Sequence, residues 1–180
     1  MTACHHRDEA GPQADPQADP QAGPQARPAL SLDAEALFVV GLLRAWTMAR
    51  RSRGAAEATP DWRHIIALAS LPTVACQEFG GFMAIVMHAM RRPLDIRCCP
   101  CPQVGRDEEA MLRIIGALQR GDRLGAMDDL ADWLSPDGVV PALRLAERLA
   151  AILQANEICL AEGAVPPPPR PAAMQPGVRH

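Results

Sequence analysis

From residue 31 to residue 163 apolar positions recur at three- and four-residue spacings, the mark of helices that turn one face to a core. Ser31 or Asp33 can cap a first helix reaching about Arg51, and its stretch ALFVVGLLRAW is apolar nearly all round, which places it centrally. Pro60 and Asp61 open a second helix through about Leu71. Pro72 interrupts it, and Thr73 restarts a third, VACQEFGGFMAIVMHAM, that ends near Arg91. PLDIR then reads as a short extended link. Gly105 or Asp107 can cap a fourth helix with Met111, Ile114, Ile115 and Leu118 on one face, and its acidic first turn suits the helix dipole. A fifth follows Gly121 with Leu124, Met127, Leu130 and Leu134 inward. The last starts around Pro141, carries Leu143, Ala146, Leu149, Ala150, Leu153 and Leu160, and ends at Gly163. With hardly a strand in the pattern, the expectation is an all-α domain, a compact bundle of five to six helices.

The patterning stops at both ends. Residues 11–26 repeat GPQA, DPQA, DPQA, GPQA, where proline at every fourth position removes amide donors and nothing apolar is offered for burial. The stretch AVPPPPRPAAMQPGVRH behaves likewise. The chain therefore divides into a disordered tail over 1–30, a helical domain over 31–163 and a disordered proline-rich tail over 164–180.

The apolar run from His64 to Met90 is long, but Pro72, Gln77, Glu78, His88 and the Gly80-Gly81 pair make it a buried helical pair rather than a membrane span. MTACHHRDEAGPQ has no apolar run behind its charges and reads as neither secretory signal nor anchor, so a cytoplasmic location with reduced thiols is expected. A net charge of −3 and a pI near 5.9 give no general attraction to nucleic acid or anionic membrane. LQRGDRLGAMDDLADWL has the outline of a helix-turn-helix, yet Asp128, Asp129 and Asp132 would repel phosphate. Neither nucleic acid nor membrane is expected as a partner. All 18 basic residues are arginine and tyrosine is absent, which excludes a lysine Schiff base, a P-loop lysine and a tyrosine general acid.

Half of the six cysteines fall in RCCPCP as Cys98, Cys99 and Cys101. Thiolates suit soft metals, so zinc or an iron-sulfur cluster is one reading, with a further ligand from Cys76, Cys159, His64 or His88. The C-C-x-C order fits poorly with the C-x-x-C pairs common in such sites. The dipeptides Cys99-Pro100 and Cys101-Pro102 resemble the short haem-regulatory motif in which a thiolate ligates iron. Redox is a third reading: a position before a helix N-terminus, between Arg97 and Arg106, lowers thiol pKa, against the opposing charges of Asp107, Glu108 and Glu109. The fourth is a tight structural turn of small residues. Cys4, His5 and His6 are metal-capable but sit on a chain end.

Elsewhere, Glu78 inside an apolar helix needs a partner, with His64, Arg63 and Arg91 the candidates. Cys76, Met83, Met87 and Met90 draw a core stripe along the third helix. Arg44, Arg50, Arg51 and Arg53 close the first helix, where they either complement its dipole or form a patch for an acidic partner. Trp62 and Trp133 read as core anchors.

Between Thr73 and Trp133, an apolar helix ending in RRPLDIRCCPCP and followed by RDEEAMLRIIGALQRGD resembles a family of small bacterial proteins of unknown function with a clustered-cysteine loop before a helix. The resemblance implies no activity and no site residues. No complete catalytic set appears, so the chain reads as a non-enzymatic interaction or regulatory module that binds a protein partner or itself. The alternative is a thiol-based sensor or metal-binding protein using the cysteine loop.

Overall fold

Asp33 starts the helical array: its Oδ1 accepts the Ala36 amide at 2.8 Å and its carbonyl accepts that of Leu37. The structure, a computed structural model, describes residues 27–51 and 61–161. After a short 3-10 turn, Ala29–Ser31, come α1 (Ala34–Arg51), α2 (Trp62–Leu68), α3 (Val74–Ala89), α4 (Arg106–Gln119), α5 (Arg123–Trp133) and α6 (Pro136–Ala155). Extended pairing among the described residues is limited to two isolated bridges, Pro28 with Gln103 and Met90 with Leu134. The all-α bundle expected from the periodicity is the architecture observed. No helix of the described residues is long and apolar enough to cross a membrane.

Helix α6 is the hub. It shares its most extensive packing with α3 and also meets α4 and α5, while α1 lies against α2 and α4. Phe79, Phe82 and Met83 from α3, Met111, Ile114 and Ile115 from α4, Leu130 and Trp133 from α5, and Leu143 from α6 are fully buried between them. A β-carbon at Gly138 would overlap that of Ala89, so glycine there sets how closely α3 and α6 approach.

Several boundaries differ from expectation, each for a local reason. α6 begins at Pro136, which follows the extended Ser135 as the first helical residue. Pro141 sits inside the helix on its exposed side, where its missing amide leaves only the Asp137 carbonyl without that donor. α6 ends at Ala155 rather than Gly163, and Leu160 reaches the core from beyond it because the Gln119 side chain brackets that segment, donating to the Ile158 carbonyl and accepting from Leu160. In α5 the inward residues are Ala126, Leu130 and Trp133, whereas Leu124 is 75% exposed at the first turn. Residues 27–30, assigned above to the tail, belong to the fold: Arg27 O accepts from Val104 and Ala29 donates to Pro102 O. The GPQA repeat, Cys4, His5, His6, Arg53, Gly163 and the proline-rich C-terminal stretch lie outside the described residues.

Three helices end alike. In α2, α4 and α6 the third residue past the helix donates back to the carbonyl five positions earlier, as Leu71 to Ile66, Asp122 to Ala117 and Ile158 to Leu153. That closure needs a left-handed residue, supplied by Ser70 (φ 56°), Gly121 (φ 78°) and Glu157 (φ 63°). Only at Gly121 is the conformation free of a side-chain penalty. Glu157→Gly is therefore expected to stabilise the fold by about 0.5–1 kcal/mol in urea denaturation, and Gly121→Ala to destabilise it by a similar amount.

Candidate functional site

The cysteine loop is built onto the N-terminus of α4. Gly105 precedes the helix, and no side chain fits there because a β-carbon would overlap the Asp95 carbonyl oxygen. Glu108, three positions on, turns back: its Oε2 accepts the Gly105 amide at 2.7 Å and its Oε1 accepts the Arg97 amide at 3.0 Å. From α1, Arg44 meets the same carboxylate in a two-pronged pair, Nε to Oε1 at 2.7 Å and Nη2 to Oε2 at 2.8 Å. Arg44 also donates to the carbonyls of Cys101 at 2.8 Å and Gln103 at 2.7 Å. One buried guanidinium and one buried carboxylate thus bind four backbone groups of the loop.

Asp107 forms a second tie. Its oxygens accept from both Arg92 Nη atoms at 2.7 Å, from the Asp95 amide at 2.6 Å and from Trp133 Nε1 at 3.0 Å. Arg92 reaches on to Asp132 of α5, which Arg106 also meets. Burial alone would raise the Asp107 carboxyl, but the Arg92, Asp95 and Trp133 hydrogen bonds outweigh it and hold it below the ordinary aspartate value. The hydrogen bonds that Arg44 donates to Glu108 push its guanidinium up against the opposing effect of burial. The acidic first turn of α4, read above as complementing the helix dipole, serves chiefly as this anchor. Two of its three carboxylates, Asp107 and Glu108, are paired with Arg92 and Arg44, yet Glu108 still adds to the upward push on the Cys99 thiol, as expected of an acid beside it.

On this frame the chain from 98 to 101 makes a hydrogen-bonded turn, with Cys101 N donating to Cys98 O at 3.0 Å. Cys98 and Cys99 are exposed and Cys101 is half-buried; all three are free thiols. The lowered thiol pKa expected before a helix N-terminus does not hold for Cys99: desolvation of its sulfur is the largest influence and pushes it up, with the Arg44 charge only partly compensating. Among the described residues no group of three or more His, Cys, Asp and Glu side chains is arranged to hold a metal ion. Cys76 lies on α3 in the wall of a separate groove, and Cys159 is exposed beyond α6. His64 and His88 are both exposed, on α2 and α3. Among the described residues, neither a groove of about 830 Å³ nor one of about 450 Å³ is lined by the loop, so neither offers a haem a pocket beside it.

The other expected pairings are also redrawn. Glu78 does not meet His64, Arg63 or Arg91; it lies on the seam between α3 and α6, where Arg148 Nε approaches its Oε2 to 2.8 Å as an ion pair without a directed hydrogen bond. The arginine patch loses Arg44 to the buried pair. Arg50 instead lies over the Trp46 ring, 5.3 Å from its centroid, and Arg51 is exposed.

Sequence reasoning missed one feature entirely. Helices α1, α2 and α3 enclose an open groove of about 830 Å³ lined by Trp46, Trp62, Ile66, Leu71, Cys76 and Gln77, with Arg50 and Arg63 beside the two indoles. Arg63 lies 4.3 Å from the Trp62 ring centroid, and Trp62 in turn packs on Phe79 at 5.3 Å. The available signal was the arginine after each tryptophan, Trp46 with Arg50 one helical turn on and Trp62 with Arg63 adjacent, but its meaning depends on two helices meeting. Compared with protein-family models, curated proteins and solved structures, the chain matches none.

Two outcomes test the anchor. Arg44→Ala strands the Glu108 carboxylate and should destabilise the fold by about 3–5 kcal/mol. Arg44→Met combined with Glu108→Leu should stay destabilised by at least about 3 kcal/mol, because the Arg97 and Gly105 amides and two carbonyls lose their partners; chemical denaturation reads both. For Asp107 the depressed carboxyl stabilises the fold above its unfolded pKa of about 3.8 and that contribution is lost as pH falls below it toward the folded value. The slope of stability against pH below about 4 should accordingly flatten in Asp107→Asn.

Proposed function

We propose that this chain is a non-enzymatic protein-interaction module that holds an acidic segment of a partner protein in the groove between α1, α2 and α3. The observation that carries the reading is the pairing of two tryptophans with two arginines on one open concave surface. Tryptophan and arginine are the side chains that dominate binding energy at protein interfaces. A guanidinium stacked on an indole turns its N–H edge to a carboxylate while its face stays on the ring, as Arg63 does toward Asp61 at 3.7 Å in an exposed pair that a partner carboxylate would displace. An occupant with carboxylates flanking an apolar side chain matches this arrangement in charge and shape. The groove's volume of about 830 Å³ falls within the range of specific binding clefts.

The same lining argues against catalysis there. Among its described residues it holds one thiol, Cys76, and no histidine, aspartate or glutamate, so no acid-base pair can be composed within it. Elsewhere His64 lies on α2, Glu78 and His88 lie nearly three turns apart on α3, and the cysteine loop is separate from all of them. A second groove of about 450 Å³, with His88 and Asp137 in its wall between α3 and α6, has no comparable aromatic floor.

Tryptophan fluorescence tests the proposal, because Trp46 and Trp62 line the groove while Trp133 is buried elsewhere. A peptide alternating glutamate with leucine should shift the emission saturably, and the glutamine version should not. Arg50→Ala with Arg63→Ala should weaken binding by about tenfold, equivalent to about 1.4 kcal/mol. Equal binding of the glutamine peptide, or unchanged affinity in the arginine variant, contradicts the assignment; concentration-dependent self-association that quenches the same tryptophans would make the occupant a second copy.

A further inference from the structure

The order C-C-P-C was set against metal-site spacing above as C-C-x-C, yet its outer members, Cys98 and Cys101, have two residues between them and form a C-x-x-C pair. We propose that Cys98 and Cys101 are a reversible dithiol–disulfide pair, oxidised by a peroxide and reduced by a small thiol, from which Cys99 is left out. The inference stands on the loop's geometry and is independent of the groove.

The hydrogen bond from Cys101 N to Cys98 O closes a turn, which brings the end α-carbons within about 7 Å, against the roughly 4.4–6.8 Å that a disulfide spans. Adjacent cysteines do not meet this requirement: Cys98 and Cys99 have α-carbons about 3.8 Å apart across a trans peptide. Cys99 lies inside the turn that the Cys101-to-Cys98 hydrogen bond closes, with Pro100 alone between it and Cys101, and burial also pushes its thiol up, which lowers its thiolate fraction. The turn is held from behind. Arg44 grips the Cys101 and Gln103 carbonyls, Ala29 donates to the Pro102 carbonyl, and Val104 donates to Arg27. All of these bonds are made by backbone groups of the loop, so the sulfurs are left for chemistry. Exposed Cys98 is placed to meet an oxidant, and half-buried Cys101 to resolve it.

In the oxidation, the Cys98 thiolate attacks one peroxide oxygen, the O–O bond breaks, and the departing oxygen takes a proton and leaves as water or an alcohol. The Cys101 sulfur then attacks the sulfenic acid of Cys98. The S–S bond forms as the S–O bond breaks, and the hydroxyl leaves with the Cys101 proton as water. Two electrons pass from the sulfurs to the peroxide. Two thiol exchanges with an external thiol return both cysteines to the reduced state and leave that reagent as its own disulfide.

The test uses the full chain, reduced, treated with one equivalent of hydrogen peroxide, then alkylated, digested and mapped by mass spectrometry. The proposal expects a peptide that has lost two hydrogens, with Cys99 alkylated and Cys98 and Cys101 not, restored by dithiothreitol. Cys98→Ser and Cys101→Ser should each abolish the product while retaining the helical circular dichroism, and Cys99→Ser should form it at a rate within about twofold of the parent. In urea, where the clamp is gone, selectivity for the Cys98 to Cys101 bond over bonds to Cys99 should be lost. A bond that includes Cys99, a disulfide between chains, accumulation of sulfinic acid without a disulfide, or selectivity that survives in urea would each overturn the proposal.

Discussion

A buried ion pair between Arg44 and Glu108 fixes the least regular part of this protein. Neither charge would tolerate burial alone, and each has more hydrogen-bonding capacity than the other can fill. The surplus is met by backbone: amides of Arg97 and Gly105 on the carboxylate, carbonyls of Cys101 and Gln103 on the guanidinium. A loop without strand or helix thereby has its polar groups satisfied inside the fold, and α1 is tied to the start of α4 at the same point. The pair differs from ion bridges that well-packed apolar residues can replace, because replacing it would orphan its backbone partners.

Two features of opposite character follow from this arrangement. The loop, held by its main chain, leaves Cys98 and Cys99 exposed on a hydrogen-bonded turn. The groove, at the C-terminal end of α1, has two largely buried indoles in its wall with guanidinium groups beside them where α1, α2 and α3 converge. Helix α1 serves both, since Arg44 faces inward toward α4 while Trp46 and Arg50 turn to the groove. The groove and the cysteine loop share no residue.

Much of the fold was legible because helices announce themselves locally. Asp33, Asp61 and Gly121 act where their residue types suggest, and the apolar stripes of α4 and α6 reach the core; of the methionine stripe expected on α3 only Met83 is buried, with Cys76 and Met87 half-buried and Met90 exposed because it lies at the helix end. The left-handed positions at Ser70 and Glu157 were not legible, since neither residue type prefers that conformation. Pro136 was passed over in favour of Pro141 because both satisfy the first-turn preference and only packing against α3 decides between them. At the site, Arg44 reads from the sequence as one of a group closing the first helix, and its buried role was not legible because its partner Glu108 lies 64 positions away with no local pattern joining them. Glu78 is the same case, with its arginine on α6 rather than nearby. The groove was invisible for the same reason: it exists only where three helices meet.

Native-state amide hydrogen exchange tests the central claim most directly. The Arg97 and Gly105 amides donate to Glu108, and if the buried pair fixes the loop they should exchange only through the opening that exposes the interior of α4, with protection matching that of Ile114 and Ile115. Rapid exchange of both amides while α4 stays protected would mean that the loop opens by itself and that the pair does not hold it.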